Sequence, residues 1–127
     1  MPDRYFSVPE ANVLLPRLHV LVTELQRIRA AIVDAQPEFL PVLEASVTNG
    51  GNREASAMLL RFGQVEALVD EIRNTGCRAK DVQMGLVDFL HRRPDGRIVL
   101  LCWRLGEDQI GYWHELDSGF QGRQPLV

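Results

Sequence analysis

Arg93-Pro94-Asp95-Gly96, then Arg97-Ile98-Val99-Leu100-Leu101-Cys102-Trp103-Arg104-Leu105, then Gly106-Glu107-Asp108 is the stretch that decides the fold. Both flanking pieces carry the residues that tight turns use. Between them Val99, Leu101, Trp103 and Leu105 alternate onto one side, the period of a strand. A strand held between two tight turns predicts an antiparallel neighbour on each side. Those neighbours are residues 84–90, where Gly85 interrupts an apolar run, and residues 109–116. Strands at 84–90, 97–105 and 109–116 make a three-stranded antiparallel meander.

One face of this meander is apolar and needs cover. The cover is read upstream. Ser7-Val8-Pro9-Glu10 is a capping box, with Pro9 in the first turn, where its missing N–H is harmless. Ala11, Leu14, Leu15, Leu18, Leu21, Val22, Leu25, Ile28 and Ile32 then follow at helical spacing and predict a helix over 8–34. Pro16 inside it predicts a kink or a 3₁₀ turn near residues 12–15. Pro37 and Pro41 predict an irregular stretch, and Asn49-Gly50-Gly51-Asn52 a loop. A second helix is expected over 53–75, with the stripe Ala55, Leu59, Phe62, Val65, Val69 and Ile72. Gly76 stands just beyond it, at the position that favours the left-handed region. The fold class is therefore α+β: an antiparallel helical hairpin packed on the meander, in one domain spanning 1–127. The other sheet face, with Ile98, Leu100, Cys102 and Arg104, awaits cover from residues 39–47 or from a second copy.

A chain of 127 residues with 46% hydrophobic and 24% charged residues builds one ordinary core. Its net charge of −3 gives no general attraction to nucleic acid or to anionic membranes. The basic turn at 91–97 is the one positive patch. Asp95 sits in it and no aromatic residue interleaves it, so a solvated turn is expected and nucleic acid is not. No apolar run approaches a membrane span, and the start, Met1-Pro2-Asp3-Arg4-Tyr5-Phe6, is not a signal peptide. Two cysteines match neither a zinc pattern nor a disulfide scaffold, which suits a reducing cytoplasm.

The densest chemistry lies in residues 102–115. Three-residue turns place Asp88 opposite Cys102 and Tyr112 opposite Cys102, with His114 one diagonal step away. Asp88, Cys102 and His114 then share a face. Three readings stay open: a divalent metal site such as zinc, with Glu115 as a further ligand; a thiol enzyme with Cys102 as nucleophile, His114 as base and Asp88 as orienter; or a small core thiol beside a hydrogen-bonded histidine. Trp103, Tyr112, Trp113 and Arg104 are the residues that would contact a ligand. Glu115 faces away from His114 and is expected to be a surface charge or an ion-pair partner of Arg104.

The segments Cys102-Trp103-Arg104-Leu105-Gly106-Glu107 and Ile110-Gly111-Tyr112-Trp113-His114-Glu115 resemble the hallmark of a family of small bacterial proteins known only as a domain of unknown function. Phe6-Ser7, Glu10-Ala11-Asn12, Leu15-Pro16 and Gly85-Leu86-Val87-Asp88-Phe89 extend the resemblance over nearly the whole chain. It implies a bacterial cytoplasmic protein and no particular activity. The leading expectation for function is a non-enzymatic binding or assembly module, self-associating through its helix pair. The alternatives are metal or small-ligand binding by Asp88, Cys102 and His114, and thiol catalysis at Cys102.

Overall fold

The computed structural model describes the backbone of residues 3–49 and 53–126, and the side chains of 3–34 and 57–126. Helix α1 spans Val8–Asn49 and α2 spans Arg53–Asn74. Strands β1 (Arg78–Asp81), β2 (Leu86–Arg92), β3 (Ile98–Arg104), β4 (Tyr112–His114) and β5 (Gln124–Pro125) follow in chain order. They form one sheet in that same order, every neighbour antiparallel.

The α+β class holds, and the sheet has five strands where three were expected. Both additions are short edge strands. Arg78-Ala79-Lys80-Asp81 lacks an apolar alternation because its side chains are exposed or half-buried at the edge. Gln124-Pro125 is only a two-residue strand, and Pro125 is tolerated because an edge position needs no N–H from it. The third expected strand is shorter than 109–116. The Ile110 N–H donates to Asn12 Oδ1 at 2.7 Å and the Gly111 carbonyl accepts from Leu126 N–H at 2.9 Å, which leaves 112–114 for the ladder with β3.

The capping box forms as expected. Ser7 N–H donates to Glu10 Oε1 at 2.8 Å, and Glu10 N–H donates to Ser7 Oγ at 3.2 Å. Helix α1 runs without a 3₁₀ break past Pro16, and passes through Pro37 and Pro41 to Asn49, so the expected end at 34 and the irregular stretch are corrected. Each proline deletes one donor and leaves the bonds of the neighbouring turns in place. The Asn49–Asn52 loop falls largely outside the described residues, and the side chains of Ala55 and of residues 39–47, where cover was expected, fall outside the described ones.

Ala11, Leu15, Leu18, Leu21, Val22 and Leu25 of α1 and Ile72 of α2 meet Val87, Phe89, Val99, Leu101, Trp103 and Trp113 of the sheet in one core. The two helices pack on each other, and Arg17 near the start of α1 pairs with Glu71 near the end of α2. The α2 stripe holds at Val65, Val69 and Ile72, which pack on the core, and is corrected nearer its start, where Met58 is buried and Leu59 and Phe62 are exposed. The N-terminal segment is fastened to β2, where Phe6 N–H donates to the Leu90 carbonyl at 2.7 Å and the Phe6 ring meets Phe89 edge-on.

Gly76 and Gly85 are both held at positive φ. Gly76 ends the α2 turn at φ +98°. Gly85 enters β2 at φ +72°, and a Cβ there would stand 2.7 Å from Leu105 Cβ. No helix among the described residues is long and apolar enough to cross a membrane.

Candidate metal centre

Strands β2, β3 and β4 each present one buried side chain able to ligate a metal on the sheet face turned away from the core. The register pairs Asp88 with Cys102, Cys102 with Tyr112, and Leu100 with His114. This is the register the turn lengths imply. One ligand atom from each of Asp88, Cys102 and His114 lies within 4.8 Å of the others. The three residues are 2%, 1% and 1% exposed.

A carboxylate, a thiol and an imidazole sealed from water need protons or a cation between them. The histidine shows where. A carbonyl only accepts, so the 2.8 Å contact of His114 Nδ1 with the Glu115 carbonyl is an Nδ1–H donating. In neutral imidazole that leaves Nε2 with a lone pair. Nε2 faces Asp88 Oδ1 at 3.2 Å. Lone pair against carboxylate is repulsive, and a proton or a metal cation must join them. A backbone carbonyl that fixes the tautomer and aims the other nitrogen is also how metal-binding histidines are held.

The family model for uncharacterized conserved protein (DUF2203) matches residues 4–126, which takes in all five strands and the whole cluster. The chain belongs to the DUF2203 family. No curated protein and no solved structure matches it. In this DUF2203 chain the Cys102 thiol is pushed up to about 12, first by burial and then by the Asp88 charge, against a lesser pull down from Arg123. Without a metal, Cys102 stays a thiol at neutral pH.

Arg123 marks the segment that covers this face. Its guanidinium donates to the Cys102 carbonyl at 3.1 Å and to both carboxylate oxygens of Glu107 at 2.6 and 2.9 Å. It lies over the Tyr112 ring at 4.0 Å and the Phe120 ring at 4.8 Å, while Arg104 approaches Phe120 from the strand side. Residues between β4 and β5 thus fold over the Cys102–Tyr112 part of this face. Glu107 joins the two faces. Its side chain holds Arg123 and accepts from Arg104 N–H, and its carbonyl accepts from Trp103 Nε1–H at 2.8 Å. No local pattern singles out Arg123, because its partners Cys102 and Glu107 lie 21 and 16 residues away, whereas Glu107 stands in the Cys102–Glu107 segment that carries the resemblance.

The remaining sequence candidates separate. Glu115 gives the cluster only its carbonyl. Its carboxylate pairs with Arg97, not Arg104, because strand parity turns it from His114. Trp103 is a core residue at 1% exposure. Trp113 is buried under Arg93, at 4.1 Å from its ring centroid, with Arg97 at 5.7 Å. Tyr112 is exposed beside the cluster and covered by Arg123. Cys77 is buried elsewhere, its Sγ 2.9 Å from Thr75 Oγ1.

Proposed function

We propose that this DUF2203 chain is a non-enzymatic binding module that holds a divalent, zinc-type cation between Asp88, Cys102 and His114. The observation that carries the reading is the buried convergence of three different ligand types, with the imidazole already aimed by the Glu115 carbonyl. Charge balance favours a dication: one thiolate and one carboxylate neutralise it, so no net charge is buried. A thiolate with an imidazole suits zinc better than magnesium or calcium. Three protein ligands leave a coordination position for water or another donor.

Thiol catalysis is disfavoured by the same facts. A nucleophilic thiolate needs an electropositive, accessible setting, and Cys102 is buried beside a carboxylate that resists its ionisation. The helix pair, read as an antiparallel hairpin, supports the sheet from the opposite side. Exposed Leu59 and Leu60 on α2 are where self-association would form. A reducing, cytoplasmic setting suits a chain whose two cysteines are both free.

The test is a zinc titration at several pH values against a competing chelator. The expected result is one zinc per chain. Each zinc bound must displace the thiol proton, which at about 12 is present throughout the neutral range. Affinity should therefore weaken at least about tenfold for each pH unit lowered. Cys77→Ser should leave the titration unchanged. A chain that takes up no zinc, or binds it as well after Cys102→Ser, would overturn the reading.

A further inference from the structure

An open cleft of about 830 Å³ lies between the start of α1, the turn joining β2 to β3, and the last strand. Val8, Pro9, Ile110 and Leu126 supply an apolar wall, and Arg92 and Arg93 stand beside it. Its size falls in the range of small-molecule sites. It contains none of the three residues of the buried cluster, so a ligand in this cleft would be independent of any metal there.

The two acids of this region are both engaged by a third arginine: Asp95 Oδ1 accepts the Arg97 backbone N–H at 2.9 Å, and the Glu115 carboxylate pairs with the Arg97 guanidinium. Among the described residues Arg92 and Arg93 then have neither a carboxylate nor another hydrogen-bond acceptor for their guanidinium groups. What they have are rings. Arg92 lies 5.4 Å from the Tyr5 ring centroid and Arg93 lies 4.1 Å from that of Trp113. The fold thus interleaves aromatics into a basic turn that has none in its own sequence. A guanidinium stacked by its face keeps its N–H edge free for an anion. The helix start is not the source of this potential. Its capping box engages the Ser7 and Glu10 N–H groups, and Pro9 has none.

We infer that this cleft binds a small organic anion, a carboxylate or phosphate head on an apolar body. The head meets the free edges of Arg92 and Arg93, and the body lies along Val8, Pro9, Ile110 and Leu126. Two unpaired cations beside an apolar wall complement that chemistry and no neutral or cationic one.

The probe is 8-anilinonaphthalene-1-sulfonate, an apolar aromatic anion, compared with the uncharged N-phenyl-1-naphthylamine in fluorescence titrations at low salt. The anionic dye should saturate at one site per chain. The double variant Arg92→Gln, Arg93→Gln should weaken it about tenfold or more, while changing the neutral dye by less than about twofold. Leu126→Asp should weaken both dyes. Val20→Gln, on the exposed side of α1, should change neither. Circular dichroism establishes that each variant is folded. Anionic-dye affinity that survives both the arginine and the Leu126 variants would overturn the inference. So would its loss in the Val20 variant alone.

Discussion

Replacing His114 by alanine in chelator-treated protein should be among the most damaging single changes outside the apolar core, costing about 3–5 kcal/mol. The reason is what stays behind. Asp88 is buried, and its Oδ1 faces His114 Nε2 at 3.2 Å. Removing the imidazole leaves a buried carboxylate without that partner. The Glu115 carbonyl also loses the Nδ1–H it accepts. Urea unfolding of Asp88→Ala, His114→Ala and the double variant gives the coupling directly. The double variant should lose less than the sum of the singles by about 1–3 kcal/mol, because the second deletion removes the group the first had orphaned. Strict additivity would mean that the two side chains do not interact, and the proton or cation between them would go with it.

Trp103→Ala should cost a similar amount, about 3–5 kcal/mol, by a different mechanism. Trp103 is fully buried on the core side of β3, and its Nε1–H donates to the Glu107 carbonyl at 2.8 Å. Truncation opens a cavity between sheet and helices and frees the turn that carries Glu107. Against a usual total of about 5–15 kcal/mol, the variant should unfold near physiological temperature. Trp103→Phe separates the two causes, since it keeps most of the ring volume and loses the donor. It should cost roughly 1–2 kcal/mol. A loss below about 1 kcal/mol for Trp103→Ala, read from thermal or urea unfolding, would contradict the packing described.

The parts legible in the sequence are those set by local chemistry. The Ser7–Glu10 box and the helical stripe of α1 arise from side-chain type and spacing. The turn at 93–96 fixes β2 against β3 so firmly that Asp88 could be placed opposite Cys102 from turn length alone. What was not legible depends on contacts distant in the chain. β1 and β5 carry no alternation because each is an edge strand with little to bury. Leu59 and Phe62 fit a helical stripe, yet the sheet does not reach them, and helical period alone does not tell a buried turn from one beyond the sheet. Asn12 shortens β4 by engaging the Ile110 N–H across the whole domain. Glu115 looked like a ligand by type, but parity gives its carboxylate to Arg97 and only its carbonyl to His114. Arg123 was invisible because its partners, Cys102, Glu107 and Tyr112, come together only when the C-terminal segment folds back.

Cobalt(II) titration, followed by absorption, tests the metal centre most directly, since cobalt takes zinc-type sites and reports its ligands. One equivalent should produce visible d–d bands of a low-coordinate ion together with a near-ultraviolet thiolate-to-cobalt band. Zinc should displace both, Cys102→Ser should abolish the thiolate band, and Cys77→Ser should keep it. A featureless titration, or a thiolate band that follows Cys77 instead of Cys102, would contradict a cation held by Asp88, Cys102 and His114.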